Sequence, residues 1–266
     1  SGRAAHLMRG VRRHVQRIRE AVFGRLGLQL RRRLLRAADI ITYNGPSCRR
    51  YLRTAGAPEE RLRPWNYAAD PVKIYRGALA PFARSPLRLL TVGQLIPRKG
   101  IAHVAPLLAD WAQRHPQRNI EWTIAGTGPQ AAQIERLPRP ANLQINLLGH
   151  CESSQLQALY RDYPVALFPT LGDEWGLVVD EALGSGQLLL GSIHSQAVET
   201  LVQADKNGWK FDPDVPASLD HALDRLCELE PLQADAMREF ARQSVTTRTP
   251  IQSAEQFVEA VAAALA

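Results

Sequence analysis

The chain has 266 residues, 45% of them hydrophobic, and a formal net charge of +7, which is enough apolar material to bury a core in one large domain or two small ones. No apolar run reaches the roughly 18 residues that cross a bilayer, and the start Ser1-Gly2-Arg3-Ala4 has no apolar signal-peptide core, so neither a spanning segment nor an export signal is expected. Three widely spaced cysteines, Cys48, Cys151 and Cys227, fit neither a metal knuckle nor a disulfide framework, and a cytoplasmic setting, with peripheral contact to the membrane, is the expectation.

The charge is concentrated at the start. Arg3, Arg9, Arg12, Arg13, Arg17, Arg19, Arg25, Arg31, Arg32, Arg33 and Arg36 precede residue 40 and are opposed only by Glu20 and Asp39. Leu7, Val11, Val15, Ile18 and Val22 recur among them at spacings of three or four, which predicts a basic amphipathic helix-rich start over 6–36, interrupted by Gly24 and Gly27. Such a face is either simply solvated or docks to an anionic partner. It lacks zinc ligands, interleaved aromatics and a helix-turn-helix, so nucleic acid is not expected, and an anionic membrane surface contacted by residues 3–36 is the other candidate partner. Ala38 to Tyr43 then reads as a short buried strand, Asn44-Gly45-Pro46-Ser47 as a turn, and the stretch with Tyr51 and Leu52 as a helix. Gly56 to Ser85, broken by Pro58, Pro64, Pro71 and Pro81, predicts no long regular element and reads as an interdomain connection.

From Leu87 the rhythm is regular. Apolar runs at 87–92, 120–125, 143–148, 164–169 and 187–191 alternate with helical patterns at 101–114, 129–136, 153–162, 177–185 and 196–203. This alternation predicts an α/β fold with a doubly wound parallel, Rossmann-like sheet. Trp209 to Asp212 adds a short strand, and helices are expected at 216–229, 232–245 and 252–265. The expected organisation is a basic start, α/β remnant and linker over 1–84, a Rossmann-like domain over 85–245, and a C-terminal helical segment over 246–266 that packs back toward the N-terminal part.

In a doubly wound sheet, ligands bind outside the carboxyl ends of the strands. After the first run comes Gly93-Gln94-Leu95-Ile96-Pro97-Arg98-Lys99-Gly100, a glycine-bounded turn with two cations before a helix. Glycine admits an anion to the backbone, the helix start favours negative charge, and Lys99 supplies a point charge. Taken alone, the segment is also compatible with an ordinary exposed turn, and it is not a Walker loop. Ala125-Gly126-Thr127-Gly128-Pro129 follows the second run; Ala131 stands where a dinucleotide fingerprint needs its third glycine. The third run ends in Leu148-Gly149-His150, with Gly149 placed where a flat ring would need backbone contacts. His150, His194 and Ser195 also stand at loop ends, each as readily a plain loop residue as a ligand.

The fourth run leads into Gly172-Asp173-Glu174-Trp175-Gly176-Leu177-Val178-Val179-Asp180-Glu181. Here the amides of Gly176, Leu177 and Val178 open a helix and can receive a diphosphate. Glu181 lies about a turn and a half beyond Gly176, and Asp173 eight residues before Glu181, up to ~12 Å away along a helical path. Two carboxylates thus bracket an anion site, which suits a ligand with hydroxyls at both ends of a diphosphate, namely a sugar and a ribose. The same residues would also serve as ordinary dipole partners of a helix start.

These four loops, in this order, resemble the C-terminal domain of the glycosyltransferase family 4 enzymes, which have the GT-B fold. That family carries a Gly-x-Leu-x-x-x-Lys-Gly turn, an Ala-Gly-x-Gly turn, a Leu-Gly turn and a Glu-x7-Glu loop-helix, matched here by Gly93 to Gly100, Ala125 to Gly128, Leu148-Gly149 and Asp173 to Glu181. The resemblance covers about Leu87 to Asp212. It implies Lys99 on the donor diphosphate, the amides of Gly176, Leu177 and Val178 on phosphate, Glu181 on the ribose, and Asp173 facing the transferred sugar. The implied donor site also takes in Gly126 and Gly149, with Asp173 and Lys99 as the expected catalytic pair. Gln94 stands where the family usually has arginine, Arg98 is the available substitute charge, and Asp173 replaces the first glutamate.

The activity so implied is retaining transfer of a sugar from a nucleotide-diphosphate sugar to a saccharide or lipid-linked acceptor, with no cofactor and no metal. The alternative is a non-catalytic nucleotide-sugar-binding or assembly module, since only Ala38 to Pro71 resembles the end of the family's acceptor domain.

Overall fold

The computed structural model describes residues 27–265; the expected helix-rich stretch before residue 27 lies outside the described residues. Helix α1 covers 27–37 and presents Arg31, Arg32, Arg33 and Arg36 to solvent. It is followed by β1 (Ile41–Tyr43), α2 (Pro46–Thr54) and β2 (Leu62–Pro64). The two strands pair in parallel, Ile41 opposite Leu62 and Tyr43 opposite Pro64, so this start is one small βαβ unit. Strand β2 is a departure from the expected irregular connection. It is only three residues long and ends at a proline, which has no N–H to donate to a ladder, so sequence periodicity gives no warning of it.

The larger layer has six parallel strands: β3 (Leu87–Val92), β4 (Ile120–Ala125), β5 (Leu143–Gly149), β6 (Val165–Phe168), β7 (Leu188–Ser192) and β8 (Gly208–Phe211). Their spatial order is β5-β4-β3-β6-β7-β8. Helices α3 (Ile101–Arg114), α4 (Ala131–Glu135), α5 (Ser153–Asp162), α6 (Leu177–Gly184) and α7 (Gln196–Leu201) connect the strands, and α8 (Pro216–Glu228), α9 (Pro231–Ser244) and α10 (Pro250–Leu265) follow. Strands buried on both faces explain the continuous apolar runs. Alternate side chains go to opposite sides: Leu87, Leu89, Val165, Leu167, Leu188 and Leu190 join Trp111, Trp122 and Leu223 in one core. Leu90, Ala166, Phe168 and Leu189 join Tyr160, Val179, Leu183 and Val198 in the other. Each fully buried leucine stabilises the fold by about 1.5–3 kcal/mol relative to exposure.

The connection between β2 and β3 is tied down rather than loose. Arg238 of α9, 1% exposed, donates to Ala80 O at 2.6 Å and to Gly186 O at 2.9 Å. Phe82 N donates to Asp235 Oδ1 at 3.0 Å, and the Phe82 ring enters the first core. Helix α10 returns to the βαβ unit: Trp65 Nε1 donates to Ser253 O at 3.1 Å, Asn66 N to Gln256 Oε1 at 3.0 Å, and the Trp65 ring lies 5.5 Å from Phe257. No helix among the described residues is long and apolar enough to cross a membrane.

Candidate active site

The chain leaves β3 for β4 and β5 on one side and reaches β6, β7 and β8 on the other. The order therefore reverses between β3 and β6, and a crevice lined by Arg98, Gly172, Asp173 and Glu174 opens beyond their carboxyl ends. The loops that follow these two strands are those whose composition points to an anion.

After β3, Pro97–Lys99 forms a tight 3-10 turn that ends on Gly100, with φ 67°. A Cβ at Gly100 would lie 1.9 Å from Pro169 O, so only glycine lets this turn rest on the loop after β6. The two loops are stitched together. Leu171 N and Thr170 Oγ1 donate to Arg98 O at 2.9 and 3.1 Å, and Arg98 Nη1 donates to Gly172 O at 2.9 Å. The Lys99 ammonium donates to Asp173 Oδ2, and Arg98 Nη1 lies 3.7 Å from the same oxygen. Both cations of the turn thus point at Asp173, a direction for Arg98 that sequence does not give. The point charge expected at Lys99 is paired with Asp173. Gln94 is exposed at the start of the turn. Gly126 and Gly149 lie side by side at the ends of β4 and β5, joined by a single bridge, with Gly93 N donating to Ala125 O at 2.9 Å beside them.

After β6, Asp173 N donates to His194 O at 3.0 Å, and Ser195 Oγ donates to Trp175 O at 2.5 Å, so the loop after β7 holds this one in place. Gly176 has φ 102°, and a Cβ there would lie 2.9 Å from the Phe168 ring. Glycine is what allows α6 to begin so close to the strand end. The amides of Gly176, Leu177 and Val178 occupy the first turn, where the helix supplies no acceptor and its dipole is positive.

Glu181 is 4% exposed. The hydroxyl of buried Tyr160 donates to its Oε2 at 2.8 Å, and Lys73 Nζ lies 3.7 Å from its Oε1. Burial pushes its pKa up, against the Tyr160 hydrogen bond and the Lys73 charge, which pull it down. Neighbouring Asp180 is also buried: Arg248 Nε donates to its Oδ1 at 2.6 Å and Trp175 Nε1 to its Oδ2 at 2.7 Å. Arg248 lies over the Trp175 ring at 4.6 Å and donates to Tyr67 O at 2.7 Å. This brace ties the loop after β6 and the start of α6 to the turn before α10. Lys73, Tyr160 and Arg248 are the site residues that sequence reasoning did not single out.

A cavity of about 420 Å³ lies on the other side of Glu174, lined by Tyr43, Asn44, Tyr51, Trp65, Tyr67 and Gln196 among others. Asn44 and Gln196 donate to Glu174 O at 3.3 and 2.7 Å, so the βαβ unit and the loop after β6 share this wall. His150 pairs with Glu152 at 3.1 Å on the surface. His194, Asp212 and Asp214 are the one group among the described residues that could hold a metal ion, with ligand atoms within 4.8 Å of one another.

Comparison with known proteins gives a consistent result. The chain is 27% identical over 171 residues to the GtfA subunit of a UDP-N-acetylglucosamine--peptide N-acetylglucosaminyltransferase of Streptococcus pneumoniae, covering 60% of this chain and 32% of that protein. It is 28% identical over 178 residues to the GtfA subunit of Streptococcus gordonii, covering 66% and 33%. The chain thus spans about a third of the length of these relatives. Among solved structures, sucrose-phosphate synthase from Thermosynechococcus elongatus superposes with a TM-score of 0.69 at 20% identity, over 89% of this chain and 62% of that one. Anabaena Alr3699/HepE in complex with UDP-glucose gives 0.67 at 18% identity, over 85% and 64%. These neighbours are GT-B glycosyltransferases, and the six-stranded layer has their fold. Residues 81–244, more than half of the chain, match the family described as Glycosyl transferases group 1, and to that family the chain belongs.

Proposed function

We propose that the crevice between β3 and β6 binds a nucleotide-diphosphate sugar and that the chain is the donor half of a retaining glycosyltransferase. The observation that carries this reading is the convergence of Lys99, Arg98 and the first turn of α6 on the Asp173 loop at the sheet's switch point. The diphosphate takes the α6 amides and Lys99, the ribose takes Glu181, and the sugar lies against Asp173. As the bond from the anomeric carbon to the diphosphate oxygen breaks, negative charge grows on the leaving group. Preoriented amides and Lys99 stabilise it in place, the largest contribution of this kind of site. An acceptor hydroxyl forms the new bond to that carbon, and its proton leaves with the diphosphate. No cofactor and no metal enter this scheme.

The cavity beside Glu174 is the proposed seat of a saccharide or lipid-linked acceptor. Its aromatic rings can lie against the C–H faces of a sugar, whose hydroxyls reach Asn44, Gln196 and Glu174. Arg31, Arg32, Arg33 and Arg36 of α1 give the basic start an exposed cationic face for an anionic membrane surface. Calorimetry with UDP, followed by assay for release of sugar from UDP-glucose and UDP-N-acetylglucosamine, tests the proposal. Binding with turnover is expected from a transferase, binding without turnover would identify a nucleotide-sugar-binding module, and no binding of UDP, GDP or ADP would refute the donor site.

A further inference from the structure

Glu181 faces partners from two other elements. Tyr160, on α5, uses its buried hydroxyl to hold Oε2, and Lys73 approaches Oε1 from the connection before β3. Lys73 is not a loose surface lysine. It ends the 3-10 turn Pro71–Lys73, which Asp70 caps by accepting from Val72 N at 3.0 Å. Gln157 of α5 donates to Val72 O, and Tyr75 N donates to Ser185 Oγ at 3.0 Å, so the turn is held against α5 on one side and the end of α6 on the other. Residue 73 also lies outside the stretch 81–244 that matches the family, so family membership assigns it no role.

A carboxylate accepts well from ribose hydroxyls only if it is ionised and aimed, and burial opposes ionisation. We infer that Lys73, together with Tyr160, is a positioning residue for the nucleoside end of the donor site: Tyr160 occupies Oε2, Lys73 sets its ammonium 3.7 Å from Oε1, and that oxygen is left as the acceptor for a ribose hydroxyl. The inference rests on the ribose role of Glu181 proposed above. The remaining charge near Glu181 is Asp180 on its own helix, paired with Arg248; burial and Asp180 push the Glu181 pKa up, while Tyr160 and Lys73 bring it down. Removing Lys73 therefore raises it, and the acid limb of nucleotide affinity moves to higher pH.

The test is calorimetry on the full chain with UDP and 2′,3′-dideoxy-UDP, for the wild type, Lys73→Met, Lys73→Arg and Glu181→Gln. Lys73 is half-exposed, so its variants keep the fold, and melting curves verify this. The wild type is expected to prefer UDP by about tenfold, the worth of one hydrogen bond to a charged group. Lys73→Met loses most of that preference while its affinity for dideoxy-UDP changes by less than about twofold, and Lys73→Arg restores it. A Lys73→Met variant that keeps the full preference, or weakens both nucleotides equally, overturns the inference. If the wild type shows no preference, or Glu181→Gln keeps it, the ribose role of Glu181 itself fails and the role of Lys73 falls with it.

Discussion

The Lys99 ammonium donates to the Asp173 carboxylate, across the crevice between the turn after β3 and the loop after β6. The cation assigned to the diphosphate and the carboxylate assigned to the sugar are thus one ion pair, with side chains 19% and 13% exposed. On the proposed function, the donor diphosphate competes with Asp173 for Lys99, and this couples the two roles.

This coupling gives Asp173→Asn opposite effects on binding and on chemistry. Loss of the carboxylate frees Lys99 for phosphate, and UDP, which carries no sugar to meet residue 173, should bind as tightly as to the wild type or a few-fold tighter. Sugar transfer should fall by about two orders of magnitude, as for loss of one well-placed polar group at a transition state. Calorimetry with UDP and a transfer assay on the same preparation measure both. UDP affinity that drops together with the rate would show that Asp173 supports the phosphate site instead.

Gly176→Ala places a methyl group 2.9 Å from the Phe168 ring at φ 102°. The strain of this left-handed position costs about 1–3 kcal/mol. In a domain of this size that lowers Tm by about 2–4 °C per kcal/mol, and the displaced α6 start should weaken nucleotide binding as well. Differential scanning calorimetry checks the first effect and nucleotide titration the second.

Arg248→Met leaves Asp180 buried without its counter-charge, a loss of about 3–5 kcal/mol for a pair this enclosed. The sign of its pH dependence follows from burial, which raises the Asp180 pKa even with Arg248 present. Between the unfolded and folded values the native state holds a proton that the unfolded chain releases. The contribution of Asp180 to stability therefore falls as pH rises through that window. Removing Arg248 raises the folded value further and widens the window. Thermal melts of wild type and variant at about pH 5 and about pH 7 should show the larger destabilisation at the higher pH. An equal loss at both would mean that Asp180 does not titrate in this range.

The layer was readable from sequence because parallel strands buried on both faces appear as unbroken apolar runs such as Leu87–Val92 and Ile120–Ala125, and both occupy those residues. The loop residues were readable for the same reason, since each stands at a fixed place after a run. Lys99 and Asp173 meet because β3 and β6 are neighbours, and Gly176 and Glu181 follow on the same loop and helix. Contacts made by distant segments were not readable. Lys73 lies in a proline-rich connection that carries no periodic signal, and Tyr160 on the buried face of α5 looks like any core aromatic until its hydroxyl needs a partner. Arg248, in the turn before α10, shows no local sign that it ends on Asp180. Strand β2 escaped because three residues ending in proline are too few to show a period of two.

The central claim, a nucleoside diphosphate held by Lys99 and the start of α6, is tested most directly by titrating UDP, GDP and ADP into the wild type and Lys99→Ala under one set of conditions. One nucleotide should bind saturably to the wild type and raise its Tm by mass action. Its Kd should weaken about tenfold or more in Lys99→Ala, the loss of a charge-assisted contact to phosphate. Failure of all three nucleotides to bind the folded wild type, or equal affinity for the two proteins, would contradict the claim.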